Sequence, residues 1–331
     1  MDSMATRPAP ARTSGPPATI DDVHRVGAQL QQAVGEVLVG KPDVVRLAVV
    51  CLLAEGHLLV EDVPGTGKTN LAKALARAID ASVARIQFTP DLMPSDVTGV
   101  SIFDRASSTF EFRPGPVFSN LLVADEINRA SPKTQSALLE AMEERQVSVD
   151  GATYPLARPF LVLATQNPVE LEGTYPLPEA QRDRFLAMTT IGYPSAADEL
   201  DMLVDRDRVD PLEAMEPVTD STTLLRLVDT VTEVYVAPQV REYLLALVRA
   251  TRALPGVRLG ASPRAGLHLV RAAKATAALA GRDFVVPDDV SGMAVPVLSH
   301  RLLLSPGAHL DAGQLLTGLV GRLPVPRAAR P

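Results

Sequence analysis

The segment HLLVEDVPGTGKTNLAKALARAI, at residues 57–79, constrains the fold more than any other part of this chain. An apolar run is followed by a glycine-rich turn and then by a stretch with the apolar spacing of a helix. Gly65 and Gly67 allow the backbone to wrap closely around a phosphate, with N–H groups pointing inward at the helix N-terminus. The segment therefore predicts a strand, a phosphate-binding loop and a helix, as in nucleotide-binding α/β domains.

The same loop supplies the side chains that ATP and its metal ion require. Lys68 is placed to reach the β- and γ-phosphates, and the Thr69 hydroxyl is placed to ligate Mg²⁺. The P-loop pattern has glycine six residues before this lysine, whereas this chain has Asp62, so we expect an altered turn there with binding retained. The predicted nucleotide-binding residues of the loop are Val63, Pro64, Gly65, Thr66, Gly67, Lys68, Thr69 and Asn70.

Apolar runs divide the chain into a tail and two domains. Residues 1–18 are rich in Pro, Ala and Ser and are interpreted as a flexible tail. Short runs of Leu, Val and Ile within 19–193 predict a doubly wound α/β domain with a buried parallel sheet. Helical periodicity broken by Pro and Gly predicts a smaller all-α domain over 194–331. The candidate strands are 57–61, 83–88, 120–125, 159–165 and the segment after Arg184.

Composition and charge narrow the class of protein. Hydrophobic residues make up 46% of the chain, which is enough to fill hydrophobic cores. The chain has no charge-free run of 18 apolar residues, so no membrane span is predicted. The formal net charge of -7 disfavours nonspecific binding to nucleic acid or anionic membrane. Cys51 is predicted to be a buried thiol, and the five histidines lack metal-ligand spacing. The first residues lack the apolar region of a secretory signal, so we expect a soluble, cytoplasmic protein.

A second acidic motif follows the third candidate strand. In LLVADE, four apolar residues precede two acids, which is typical of a Walker B element. Asp125 is predicted to hold the Mg²⁺ shell, and Glu126 to act as the general base that polarises the attacking water. The alternative is that two acids follow a strand by chance. The distance in sequence between this motif and the phosphate loop is right for a Walker B element and argues against that alternative.

Longer stretches of the chain resemble MoxR ATPases of the AAA+ class, nearly collinearly from about 20 to 305. They include RIQFTPDLMPSDVTG, PGPVFSNLLVADEINRASPKTQSALLEAMEE, ATQNPVELEGTYPLPEAQRDRF, SPRAGL and GRDFVVPDDV. The resemblance implies an AAA+ nucleotide-binding core followed by a helical lid, and an ATP hydrolase that works as a ring, usually a hexamer. It also implies chaperone-like assembly of, or cofactor insertion into, client proteins, for which von Willebrand factor A domain proteins are typical partners.

The resemblance assigns further site residues. Asn167 corresponds to a polar sensor that orients the lytic water, with a turn residue before Pro168 as the alternative. Arg184, directly before Phe185, corresponds to an arginine finger that acts on a neighbouring subunit. The alternatives are a surface arginine paired with Asp183, or Arg182 as the finger. The remaining implied roles are the second sensor of the lid at Arg264, adenine contacts at Val39 and Gly40, and restraint of Glu126 by Gln87.

Two insertions bear on what the ring would act upon. Residues 101–118 and 146–158 predict β-hairpins, the second with a strong two-residue turn at Asp150-Gly151. Hairpins that bind nucleic acid are basic, because phosphate contacts supply most of the affinity. These offer only Arg105 near one turn, together with apolar Phe110 and Phe112, which favours a polypeptide substrate over DNA.

The sequence leaves three other functions open. A nucleic-acid motor is disfavoured by the hairpin chemistry, and a nucleotide-binding scaffold with little turnover is disfavoured by the intact Glu126, Asn167 and Arg184. A chelatase-type motor subunit is closely related, and the sequence separates it poorly from a protein-remodelling ATPase.

Overall fold

A computed structural model of the chain describes residues 16–62, 65–167, 174–205, 211–307 and 310–326. In chain order, its strands are β1 (Leu58–Glu61), β2 (Val83–Gln87), β3 (Gly99–Asp104), β4 (Thr109–Pro114), β5 (Leu121–Asp125), β6 (Gln146–Val149), β7 (Ala152–Pro155), β8 (Leu161–Gln166), β9 (Ala187–Thr189), β10 (Val257–Leu259) and β11 (Leu303–Leu304). Its helices are α1 (Ile20–Val37), α2 (Pro42–Leu53), α3 (Lys68–Ala78), α4 (Pro94–Thr98), α5 (Pro132–Glu144), α6 (Glu179–Arg182), α7 (Ala196–Asp205), α8 (Pro211–Ala214), α9 (Ser221–Glu233), α10 (Pro238–Ala250), α11 (Pro263–Leu279), α12 (Pro287–Leu298) and α13 (Ala312–Val320).

A five-stranded parallel sheet forms the centre of the first domain, with strand order β2-β5-β8-β1-β9. Each of its strands corresponds to one of the predicted apolar runs. Side chains alternate between the two faces of a strand, so one run contributes to two hydrophobic clusters. Leu121 and Val123 pack on the face covered by α1, α2 and α3, whereas Leu122 and Ala124 pack on the face covered by α4 and α5. The doubly wound α/β fold predicted from the sequence is confirmed.

The second domain is mainly helical. Helices α9 to α13 form most of it, and their buried side chains continue the same hydrophobic cluster that lies under α1 and α2. The prediction of an all-α domain is wrong in one detail, because β10 and β11 pair as a short antiparallel ribbon. Val257 and Leu259 alternate with Arg258 after the turn at Pro255-Gly256, a period of two that favours extended backbone.

Two antiparallel hairpins extend from the α/β domain, β3–β4 and β6–β7. The second turns at Asp150-Gly151, where both residues have positive φ, of 50° and 79°. Phe112 of the first hairpin stacks on Tyr154 of the second, with ring centroids 4.0 Å apart. The hairpins are therefore in contact with each other.

The buried positions agree with the sequence where they can be compared. Cys51 is buried in α2, and burial raises the pKa of its thiol to about 12.

Within the described parts of the chain, none of the helices combines the length and apolar character needed to cross a membrane. The same parts contain no cluster of His, Cys, Asp and Glu suited to a metal ion by protein ligands alone.

Candidate active site

A pocket of about 320 Å³ lies at the carboxyl edge of the sheet, where β1, β5 and β8 end. We call it the phosphate pocket. Nine of the predicted residues line it: Gly65, Gly67, Lys68, Thr69, Asn70, Gln87, Asp125, Glu126 and Asn167. Four further residues complete the described lining: Asp62, Arg85, Thr165 and Gln166. The parallel strands bring these groups together, because their carboxyl ends meet at one edge.

The glycine-rich loop has the conformation that the sequence predicts. Gly65 and Gly67 have φ of 87° and 90°, which side-chain-bearing residues rarely adopt, and α3 begins at the next residue, Lys68. Lys68 Nζ donates to the carbonyl oxygen of Asp62 over 3.0 Å. Burial lowers the pKa of Lys68, while the carboxylates of Asp62, Asp125 and Glu126 oppose that shift. Helix N–H groups and an ammonium therefore face the same cavity, a donor set suited to phosphate.

Asp62 explains the departure from the P-loop pattern. Its carboxylate oxygen Oδ2 accepts hydrogen bonds from the backbone N–H of Ile191 at 2.8 Å and of Gly192 at 2.6 Å. Asp62 therefore ties the start of the phosphate loop to the turn that follows β9. The sequence identifies the unusual residue, and the structure supplies its partners.

Asp125 is the last residue of β5, and both oxygens of its carboxylate accept hydrogen bonds from side chains. Arg85 Nε donates to Oδ2 over 2.7 Å, and the Thr165 hydroxyl donates to Oδ1 over 3.3 Å. Thr69, in the first turn of α3, lines the same pocket. One hydroxyl and one carboxylate facing each other across a phosphate cavity fit the donors that Mg²⁺ prefers.

Glu126 is held in an unusual backbone conformation. Its φ of 55° lies in the left-handed region, and its N–H donates to Thr165 Oγ1 over 2.9 Å. Its carboxylate oxygen Oε2 accepts from Gln87 Nε2 at 2.8 Å and from Arg129 Nη1 at 2.9 Å. The contact with Gln87 is the one that the family resemblance implies.

The sequence reasoning missed Arg85, Thr165 and Arg129. A signal for Arg85 exists, because it precedes Gln87 by two residues and so shares its face of β2, beside β5. No comparable signal exists for Thr165, within β8, or for Arg129, after β5, because their hydrogen bonds depend on how these parts of the chain pack together.

A second pocket, of about 460 Å³, lies at the opposite, amino edge of the sheet. We call it the arginine pocket. Its described lining consists of Glu55, Gly56, His57, Met142, Glu143, Arg145, Arg158, Arg184, His268 and Arg271. Residues 55–57 precede β1, Arg158 precedes β8, and His268 and Arg271 belong to α11 of the helical domain. This pocket is therefore built at the joint between the two domains.

Glu55 organises part of that pocket. Its carboxylate accepts hydrogen bonds from Arg145 at 2.9 Å and from Arg158 at 2.8 Å. Its carbonyl oxygen accepts from Arg271 at 2.8 Å, so α11 is joined to the start of β1. Burial lowers the pKa of His57 to about 4, and that of His268 to about 3, so both rings are neutral near pH 7.

The predicted arginines are in this second region and not in the phosphate pocket. Arg184 donates to the carbonyl oxygen of Leu139 on α5, and Arg264 pairs with Glu143 one turn further along at 3.0 Å. Asp183 does not take the role of a partner for Arg184 that the sequence left open, because its carboxylate accepts hydrogen bonds from Ser262 and Arg301 instead. Neither arginine lines the phosphate pocket of its own chain.

The other predicted nucleotide contacts lie close by or outside the described residues. Val39 and Gly40 form the turn after α1, and the neighbouring Leu38 side chain lies 2.9 Å from where a Cβ of Gly67 would stand. That turn therefore packs against the phosphate loop. Thr66 is buried within the loop and is not part of the pocket lining. Val63 and Pro64 lie outside the described residues.

Comparisons with known proteins cover both domains. Residues 57–187 match the ATPase family associated with various cellular activities (AAA), and residues 249–316 match the AAA lid domain. The chain is 51% identical over 294 residues to the uncharacterized protein YeaC of Bacillus subtilis, spanning 89% of this chain and 92% of that protein. It is 43% identical over 308 residues to Chaperone MoxR1 of Mycobacterium tuberculosis, spanning 89% and 81% respectively. The crystal structure of a proposed ATPase from Cytophaga hutchinsonii matches with a TM-score of 0.86 at 37% identity, covering 93% of this chain and 97% of that one.

Proposed function

This chain belongs to the MoxR family of AAA+ ATPases, and we propose that it hydrolyses ATP in the phosphate pocket as one subunit of a ring. One observation carries the proposal. The acids and the lysine converge at the carboxyl edge of the sheet, whereas Arg184 lies at the amino edge of the same sheet. A site with both sets of groups then requires two copies of the chain.

Within one subunit, the phosphate pocket supplies binding and the base. Lys68 and the N-terminus of α3 hold the phosphates, and Thr69 and Asp125 hold Mg²⁺, which offsets the phosphate charge. Glu126 accepts a proton from the attacking water, and Asn167 orients that water. Gln87 and Arg129 hold the Glu126 carboxylate, so those hydrogen bonds must loosen before Glu126 acts as a base. Val39, Gly40 and the loop from Val63 to Asn70 surround the rest of the nucleotide.

The position of Arg184 at the amino edge of the sheet is the reason to expect a ring. Contacts between unlike surfaces repeated around an axis produce closed rings, and we propose a hexamer. Arg184 and Arg264 would then face the γ-phosphate held by the neighbouring subunit. Arg182 is the alternative for this role, and its Nε atom is buried within its own chain.

The substrate of the ring is proposed to be a protein. Phe103 and Phe110 pair edge to face on the first hairpin, and Phe110 is 74% exposed, while the second hairpin turns at Asp150-Gly151. Apolar rings on a hairpin whose turn carries a single arginine, Arg105, suit polypeptide better than nucleic acid. One relative is named a chaperone, which agrees with assembly of, or cofactor or metal insertion into, client proteins. A von Willebrand factor A domain client in the cytoplasm remains part of the proposal.

Subunit mixing tests the proposal. Arg184→Ala should bind ATP almost normally yet hydrolyse it up to about 10³-fold more slowly, as for other arginine fingers. Lys68→Ala should be inactive because its own pocket is damaged. After subunit exchange, a Lys68→Ala subunit can give its intact Arg184 to the intact pocket of an Arg184→Ala subunit. In an equal mixture about one interface in four is then complete, so turnover should reappear.

The contrary result is well defined. If subunit exchange is demonstrated and the mixture stays inactive, Arg184 does not act on the neighbouring subunit in the way proposed. The same mixture made with Arg182→Ala shows whether the other arginine has that role.

A further inference from the structure

The carboxylate of Asp183, directly before Arg184, is held by two side chains of the helical domain. Arg301 Nε donates to Oδ1 over 2.7 Å, and the Ser262 hydroxyl donates to Oδ2 over 2.9 Å. The Arg301 side chain is only 1% exposed. An ion pair this deep carries a large desolvation cost, so its partners must be closely matched.

The remaining donors of Arg301 also point to the segment that carries Arg184. Its Nη2 donates to the carbonyl oxygens of Asp183 at 3.1 Å and Phe185 at 2.5 Å, and its Nη1 donates to that of Leu186 at 3.3 Å. The guanidinium therefore bonds to three of the four residues from 183 to 186. A planar fork with several donors fixes a backbone more tightly than a single ion pair does.

Buried neutral histidines surround this guanidinium. Burial and then the charge of Arg301 lower the pKa of His268 to about 3, and the same two causes place that of His300 well below its usual value. Arg264 adds a further positive charge that acts on Arg301. Asp183 is the carboxylate that pairs with Arg301, so it offsets the buried charge of that guanidinium.

Ser262 extends the link to the other predicted arginine. Besides contacting Asp183, its hydroxyl accepts from the N–H of Ala265 and caps the N-terminus of α11. The first turn of that helix carries Arg264, whose partner Glu143 lies one turn along α5 from Leu139, the partner of Arg184. The two arginines therefore lie side by side over α5, each tied to Asp183 by a short chain of bonds.

We propose that Asp183 is a positioning residue, which fixes Arg184 to the helical domain through Ser262 and Arg301 so that both arginines reach the neighbouring subunit as one unit. This inference rests on the proposed function of Arg184. Its consequence is that the helical domain of one subunit governs hydrolysis in the next. The segment with Arg184 belongs to the α/β domain by sequence, and its bonds to Ser262 and Arg301 also join it to the lid.

Asp183→Asn in the full-length protein is the main test. The phosphate pocket is remote, so nucleotide affinity and KM should stay within about twofold of wild type, while kcat should fall about 10- to 100-fold from misplacement of the finger. Mixing with Lys68→Ala should restore turnover, because that subunit brings a correctly held Arg184. Mixing with Arg184→Ala should not restore it, since both proteins lack a working finger.

A milder pair of variants covers the case in which Asp183→Asn fails to fold. Ser262→Ala removes one bond to Asp183 and also the cap of α11. Asp220→Ala is its matched control, because Asp220 caps α9 through the N–H of Thr223 and does not contact Asp183. Turnover should fall several-fold in Ser262→Ala and should stay near wild type in Asp220→Ala.

Four results overturn the proposal. Wild-type turnover in Asp183→Asn, or equal losses in Ser262→Ala and Asp220→Ala, would mean that the bonds to Asp183 have a purely structural role. An Asp183→Asn protein that Lys68→Ala cannot rescue, while Arg184→Ala is rescued in parallel, has a defect elsewhere in the subunit. If Arg184→Ala itself is not rescued, the finger assignment is wrong and the role of Asp183 falls with it.

Discussion

The phosphate pocket and the arginine pocket occupy opposite edges of one parallel sheet, and they are built in different ways. The phosphate pocket is formed by loops of the α/β domain alone, each following a strand that ends at the same edge. The arginine pocket needs both domains, since α11 supplies His268 and Arg271. The difference teaches that the groups proposed to bind ATP belong to one domain, whereas the groups proposed to promote hydrolysis depend on how two domains are joined.

The two pockets also differ in the balance of their acidic and basic residues. The phosphate pocket sets Asp62, Asp125 and Glu126 against Lys68 and Arg85. The arginine pocket has Arg145, Arg158, Arg184 and Arg271 against Glu55 and Glu143. Opposite excess charge on two faces of one chain favours head-to-tail association of copies. Substitutions in each pocket test whether ATP binding and hydrolysis can be impaired separately.

The first prediction is a loss of nucleotide binding that leaves the arginine pocket intact. Lys68→Ala should weaken ATP binding by about 100-fold or more, as expected when one partner of a hydrogen-bonded charge pair is removed at a cost of about 3 kcal/mol. Calorimetry with Mg²⁺ present measures this. Arg184→Ala is the matched loss of a cation from the other pocket and should bind ATP nearly normally. Near-normal affinity in Lys68→Ala would contradict the assignment of the phosphate pocket.

Glu126→Gln should separate binding from turnover within the phosphate pocket. The amide keeps the shape of the carboxylate but cannot act as a base, so turnover should fall by about 10²–10⁴ while binding survives. Steady-state phosphate release and a sizing column with ATP would show an inactive, ATP-bound oligomer. Unchanged turnover would remove Glu126 from the mechanism. The ATP-bound form is also the one to use for retaining a client protein.

Asp62→Ala should affect stability more than binding. It leaves the N–H groups of Ile191 and Gly192 without their acceptor, which costs about 2–3 kcal/mol of unfolding free energy. Lys68 donates to the backbone oxygen of Asp62, an acceptor that Asp62→Ala keeps, so ATP affinity should fall far less than in Lys68→Ala. Asp62→Asn, which keeps an acceptor oxygen, should lose less stability. Urea unfolding and calorimetry on the same preparations measure both quantities.

The smallest expected effect is a loss of stability in acid, which should act through His57 of the arginine pocket. His57 has a pKa of about 4 when folded and 6.5 as its ordinary value, so below pH 6.5 the unfolded chain binds the proton first. The free energy of unfolding should therefore fall as pH decreases to about 5, by about 1.4 kcal/mol per pH unit for this histidine. In His57→Asn, whose amide oxygen can replace Nδ1 as acceptor for Val162 N–H, that slope should be shallower. Equal slopes would show that His57 does not titrate as its burial implies.

Much of the fold and of the phosphate pocket could be predicted because the signals are local. Strand, loop and helix follow one another in the segment around Lys68, and parallel strands must bring their carboxyl ends together. That argument also places Asp125, Glu126 and Asn167 at the same edge. The partners of Asp62 could not be predicted, because Ile191 and Gly192 are far along the chain and donate only backbone N–H groups, which every residue type carries.

The sequence by itself predicted the strands of the parallel sheet, the helical second domain and the residue types proposed to hold phosphate and Mg²⁺. It also identified Arg184 and Arg264 by resemblance, but it left their position relative to the phosphate pocket open. Only the tertiary structure decided that both lie over α5 at the amino edge, and that Asp183 is bound to Ser262 and Arg301. The physical reason is that periodicity fixes the face and the end on which a residue lies within its own element, whereas the packing of the lid on the sheet depends on a hydrophobic cluster shared by many distant residues.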